Sequence, residues 1–283
     1  MERTTFIAIC LLLFIGCNSN NHSVKPVTTN TSIESTLRDV ISSYNATAGS
    51  IMIMDVATGK LVEDCTVRQY SNGNFERIVP DSIEPGGLGY TMLLTNLIAS
   101  GTLLDTSMML KVGQKTYSCG YRVADSHRMM RDGMFLDSAT LGQAFVERSK
   151  VAMCELAEMN YAAQTDASEH FYREVLGYGG KMSPYDILQH YNEMAKGEGD
   201  TLLIRSLLTR VISEGFAGRY ADKDIAIAGM PATIAIPNET ERNNAAFAGF
   251  YPAENPKYSC IVILYSTTSN GTDAANAIYS LVQ

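Results

Sequence analysis

Apolar residues recur at helical spacing over residues 31–44, where Ile33, Leu37, Val40 and Ile41 share a face and Thr31 precedes Glu34 by three positions in a capping-box pattern. The short apolar run SIMIMD, 50–55, predicts a strand. ATGK, 57–60, reads as a tight turn into a returning strand, so a β-hairpin is expected. A helix is predicted over 88–100, opening on the turn Glu84-Pro85-Gly86-Gly87. Residues 140–160 place Leu141, Ala144, Phe145, Val151, Leu156 and Met159 at helical spacing, with a break expected near Arg148-Ser149. Further helices are predicted over 168–176, 183–196 and 202–213, the second with Ser183 as N-cap and Pro184 at its first position.

The last third changes character. Residues 224–236 alternate small and branched side chains around a turn, 245–252 and 258–266 read as strands, and 272–282 as an amphipathic helix. An early hairpin, central helices, late strands and a closing helix predict an α+β fold. One antiparallel sheet is flanked by the N- and C-terminal helices, with a helical subdomain beside it.

The first residues add a plan for the whole chain. Arg3, an apolar run from Phe6 to Ile15, then Gly16-Cys17 make a segment too short to span a bilayer but suited to a signal-peptide core. Its Phe14-Ile15-Gly16-Cys17 ending resembles a bacterial lipoprotein lipobox, which implies lipid on Cys17. A plain secretory signal is the alternative; the apolar run stopping at that cysteine favours the lipoprotein. Residues 18–30, rich in Asn, Ser and Thr, fit a flexible tether. The expected organisation is a signal peptide over 1–16, a tether over 17–30 and one domain over 31–283, on the periplasmic side of a bacterial membrane.

Composition changes this picture little. A chain of 283 residues, 46% hydrophobic, supports one large core. Net charge of −8 without a basic run argues against a nucleic-acid partner. Beyond Cys10 and Cys17 stand Cys65, Cys119, Cys154 and Cys260, with no C-x-x-C pair, so disulfides and free thiols are both open. His22, His127, His170 and His190 form no metal-binding pattern, and neither a metal nor a cofactor is expected.

Several segments carry a resemblance by their order. GSIMIMDVATGKLVE, EPGGLGYTMLLTNLIASGTL, VADSHRM, ERSKVAMCELA, GYGGKMSPYDILQHYNEMA, VISEGFAGRYADKDIAIAGMPAT and above all FAGFYPAENPKYSCIVILY follow one another from Gly49 to the C-terminal region. Together they resemble the transpeptidase domain of penicillin-binding proteins, especially the class B enzymes that cross-link peptidoglycan. The resemblance implies that fold and three catalytic motifs. Ser-x-x-Lys supplies nucleophile and base, Ser-x-Asn a proton relay and substrate contact, and Lys-Thr-Gly a strand edge that grips substrate.

Each motif departs here. The serine and lysine positions of the first are Gly87 and Tyr90. The second reads Arg148-Ser149-Lys150, and the third Met230-Pro231-Ala232 after Gly229. A glycine offers no nucleophile, and a proline no strand-edge N–H. The expectation is a catalytically inactive domain that binds a peptidoglycan stem peptide or an envelope partner protein. Glu84, Arg148, Lys150 and Thr233 are its candidate groove residues. The alternative is a divergent serine transpeptidase, carboxypeptidase or β-lactamase with an unrecognised nucleophile, for which Ser82 and a Ser149–Lys150 dyad are the candidates. Adjacent helical residues point about 100° apart, which disfavours the dyad.

Overall fold

The structure, a computed structural model, describes residues 31–102, 104–118, 127–161, 169–199, 201–215 and 226–281. The chain opens with helix α1 (Thr31–Ser43) and the expected hairpin of β1 (Ala48–Asp55) and β2 (Leu61–Gln69), extended by β3 (Phe75–Arg77). At the hairpin turn Asp55 accepts the Thr58 N–H at 2.8 Å, and Gly59 supplies a positive φ of 65°. Glu34, expected near the start of α1 as a capping partner, bonds Arg38 and reaches Arg77 on β3 at 2.6 Å, tying the helix to the sheet edge.

The central region comprises α2 (Tyr90–Ala99), β4 (Met109–Lys111), β5 (Gln114–Ser118), β6 (His127–Arg131), β7 (Ser138–Thr140), α3 (Leu141–Val146), α4 (Lys150–Tyr161), α5 (Glu169–Val175), α6 (Pro184–Lys196) and α7 (Thr201–Ser213). The predicted break between α3 and α4 is present. Thr140 and Gln143 form a reciprocal capping box that starts α3, and Arg148, at φ 57°, turns the chain before α4. Ser183 caps α6 as expected, accepting the Asp186 N–H at 3.1 Å, and Gly197 ends that helix in the left-handed conformation. Strands β4 and β7 form one small antiparallel sheet, β5 and β6 another.

The last third supplies β8 (Ala228–Ala235), β9 (Asn243–Tyr251), β10 (Tyr258–Thr267) and α8 (Gly271–Leu281). The turn expected within 224–236 is not found among the described residues: 228–235 form one continuous strand that pairs with β9 from Ala228↔Phe250 to Ala235↔Asn243. The main sheet is six-stranded in the order β3-β2-β1-β10-β9-β8. Early and late strands thus join through β1 and β10, the strands buried almost throughout.

Gly49 faces α1, where an added Cβ would meet Ile41 at 2.8 Å. Ser259, on the opposite face, bonds Asn192 of α6 at 2.7 Å. Helices α1 and α8 therefore cover one side of the sheet and α6 the other. Cys65, Cys154 and Cys260 are buried free thiols; Cys119 lies outside the described residues. Burial pushes Cys65 up to about 11 and Cys154 to about 12, which keeps both protonated and unreactive.

Candidate functional site

The site is built where the start of α2, the α3–α4 junction and the free edge of β8 meet. Ile83 and Met182 exchange two backbone hydrogen bonds, at 3.0 and 2.8 Å, and the Gly86 N–H donates to the Gly177 carbonyl at 3.0 Å. These contacts hold residues 83–86 against the 177–182 segment. A Cβ on Gly177 would lie 2.3 Å from the Gly86 carbonyl oxygen, and both residues have positive φ, so this clasp requires glycine twice. Residues Gly86–Gly89 form a 3-10 turn, with Leu88 N–H bonded to Pro85 O at 3.1 Å, and the α-helix begins only at Tyr90. Three glycines in four residues explain why the regular helix starts later than the apolar pattern suggests.

Gly87 differs from its neighbours. Its φ lies outside the left-handed region, and an added Cβ would meet nothing nearer than the Ala232 Cβ at 3.6 Å. The backbone at Gly87 therefore accepts a side chain; what is absent is a reactive atom. Three residues on, Tyr90 is buried. Burial raises its hydroxyl far above the usual range, reinforced by Cys154 and Tyr178 and only partly opposed by Arg148. A neutral phenol that holds its proton cannot act as a base at neutral pH.

The α3–α4 junction sends its residues in different directions. Ser149 is fully buried, donates to Asp132 and accepts the Ala152 N–H at 3.0 Å as the cap of α4. Lys150, the first residue of that helix, is exposed. The serine faces Asp132 and the lysine solvent, so no dyad exists between them. Ser82 is exposed on the loop before Ile83.

Arg148 is half-buried, and one of its Nη atoms donates to the Pro231 carbonyl at 3.1 Å. Burial lowers its pKa, with Tyr90 and Glu147 pulling the other way. Among the described residues it has no carboxylate within ion-pairing distance.

The β8 edge is correspondingly closed. Met230 and Ala232 are buried, Pro231 has no N–H to offer, and its carbonyl is held by Arg148. Farther along, the Ala235 backbone bonds Tyr178. Of the remaining groove candidates, Thr233 accepts the Gly271 N–H at 3.0 Å at the start of α8, and Glu84 pairs with Arg173 at 3.5 Å. The structure thus sets Gly87 opposite Ala232 and Arg148 against Pro231, with Tyr90 close to Arg148. Glu84, Lys150 and Thr233 have other surroundings.

Sequence reasoning missed Asp132, which accepts the Gly113 and Met134 N–H groups, each at 3.0 Å, as well as the Ser149 hydroxyl. It also missed Gly177 and Tyr178. The turn dipeptide Asp132-Gly133 was the available signal for the first. Residues 119–126, which include most of the VADSHRM stretch, lie outside the described residues. Among the described residues no group of His, Cys, Asp and Glu is arranged to hold a metal ion, and no helix is long and apolar enough to cross a membrane.

No protein-family profile and no curated protein matches this sequence. Solved structures do. The apo transpeptidase domain of penicillin-binding protein 3 from Burkholderia pseudomallei is 14% identical with a TM-score of 0.68, covering 91% of this chain and 96% of that one. A peptidoglycan glycosyltransferase from Burkholderia ambifaria is 16% identical with a TM-score of 0.68, covering 90% of this chain and 95% of that one. The chain has the penicillin-binding transpeptidase fold, and at such identity the likeness extends to the fold alone.

Proposed function

We propose that this chain is a non-catalytic envelope protein, held by lipid on Cys17 to the periplasmic side of a bacterial membrane. Its transpeptidase-type domain binds a peptidoglycan stem peptide or an envelope partner protein. The observation that carries the reading is at Gly87: the position that faces the β8 edge, and that carries the nucleophile in the family resembled, has room for a side chain and has none. The residue one turn later is a buried, neutral tyrosine rather than an amine.

Binding is favoured over pure scaffolding by Arg148. A half-buried guanidinium that meets one carbonyl and no anion, among the described residues, is poised for a carboxylate. Pairing of a ligand's backbone along β8 is disfavoured at Pro231, so recognition rests on side chains, with Arg148 taking a terminal carboxylate of a stem peptide.

The test is retention on purified peptidoglycan, wild type against Arg148→Ala. Retention that falls several-fold in the variant supports a carboxylate ligand at this site. Absence of retention in the wild type removes the peptidoglycan version and leaves a protein partner.

A further inference from the structure

The two small sheets share an end whose solvent face is apolar. β4 exposes Met109 and buries Leu110, while β6 exposes Met129 and buries Met130. The connection from β6 to β7 carries Phe135, fully exposed, and Leu136, 58% exposed. Backbone contacts hold this connection against the β4–β5 turn. Asp132 N–H donates to Gly113 O at 3.0 Å and Val112 N–H to Asp137 O at 3.2 Å. A Cβ on Gly113 would lie 2.7 Å from the Leu136 carbonyl oxygen. The Phe135-Leu136 tip is therefore fixed beside Lys111 and Arg131, both exposed.

The charged groups that flank this tip are Lys111 and Arg131, with Asp132 and Asp137 beside them. Lys115 is paired with Glu155 and Glu158. Lys111 and Arg131 make no ion pair among the described residues; Arg131 lies 3.1 Å from the Met129 sulfur. Of the nearby carboxylates, Asp132 is bonded to backbone N–H groups and Ser149, and Asp137 is exposed.

We propose that this end docks on a membrane surface containing anionic phospholipid. Phe135 and Leu136 enter the boundary between headgroups and acyl chains, with Lys111 and Arg131 against the phosphates. A protruding aromatic-aliphatic tip flanked by unpaired cations suits a deformable anionic interface. The inference rests on the proposed lipid tether for delivery. Residues 17–30 reach at most roughly 50 Å when extended, which keeps the domain near the bilayer, and the patch sets its orientation there.

The chain contains no tryptophan, so Phe135→Trp in the full lipidated chain gives a single reporter. It is mixed with excess phosphatidylglycerol–phosphatidylcholine vesicles bearing bromine on the upper acyl carbons. The expected result is a blue-shifted emission that the brominated lipid quenches, with both effects lost on adding Lys111→Ala/Arg131→Ala or on vesicles of phosphatidylcholine alone. Unquenched, unshifted emission overturns the inference. A blue shift without quenching that grows with protein concentration also overturns it, because a second copy then covers the patch. The tether is judged separately by the mass of the N-terminal peptide. Lipid on Cys17 with unquenched emission contradicts the docking alone, and unmodified Cys17 with quenched emission contradicts the tether alone.

Discussion

The Arg148 guanidinium donates to the Pro231 carbonyl across 3.1 Å, joining the α3–α4 junction to the free edge of β8. Two features meet in that contact. Arg148 occupies a left-handed backbone conformation, φ 57°, that non-glycine residues rarely adopt, and Pro231 interrupts the donors of an edge strand. The cation thus occupies a strand edge that an extended peptide would otherwise pair with.

Two substitutions separate the side chain's role from the backbone's. Arg148→Ala removes the bond and keeps the strain, and should lower unfolding free energy by about 1–2 kcal/mol. Arg148→Gly removes the same bond but relieves the left-handed backbone, recovering about 1 kcal/mol. Urea unfolding of the pair should therefore rank glycine above alanine. The reverse order would show that Arg148 is not strained.

The glycines of the turn should respond oppositely. Gly177→Ala forces a Cβ to within 2.3 Å of Gly86 O at φ 78°, and a loss of about 3 kcal/mol or more is expected. Gly87→Ser places its Cβ at ordinary contact with Ala232 and should change stability by less than about 1 kcal/mol. Thermal melts of both variants check this contrast. The serine variant should also remain unacylated by benzylpenicillin, since Tyr90 provides no base.

Asp132, half-buried, should contribute measurably to stability through its three bonds. Asp132→Ala leaves the Gly113 and Met134 N–H groups and the buried Ser149 hydroxyl without their partner, for an expected loss of about 2–3 kcal/mol. Asp132→Asn, which keeps an acceptor oxygen, should lose less. Equal losses in denaturant titrations would contradict the assigned bonds.

His190 gives a pH dependence. Its Nε2 lies 3.0 Å from Thr91 Oγ1, and Thr91 directs its own proton to the Leu88 carbonyl, so Nε2 is the protonated nitrogen. Burial depresses its pKa from 6.5 to about 4, with Glu193 pulling partway back. Between those values the unfolded chain binds a proton that the folded chain does not. Stability is therefore full above about pH 6.5, falls as pH drops and levels off below about 4, a total on the order of 3 kcal/mol. The difference between wild type and His190→Gln, measured across that window, isolates this group from the carboxylates; a constant difference would contradict the shift.

Much of the fold was legible in the sequence because it is set locally. The hairpin, the helices and the interruption at Arg148-Ser149 follow from side-chain periodicity and caps. What was misread depends on distant partners. Gly229 and Pro231 look like turn residues, yet Gly229 packs against Gly249 on β9, and Pro231 is tolerated because β8 is an edge. The Gly86–Gly177 clasp joins segments far apart in the chain, as do the Asp132 bonds to Gly113 and Ser149; Asp132-Gly133 signals only the local turn in which Asp132 accepts the Met134 N–H. At the site, the sequence located Gly87, Tyr90 and Arg148 but not Arg148's bond to the strand edge. Glu84 and Thr233, grouped with them by motif, are bonded elsewhere.

The most direct measurement is the intact mass of the purified chain after incubation with excess benzylpenicillin, beside an active transpeptidase labelled under the same conditions. An unchanged mass is expected, because Gly87 carries no nucleophile and Ser149 is buried against Asp132. A gain equal to one antibiotic molecule would contradict the non-catalytic reading, and the modified peptide would identify the nucleophile.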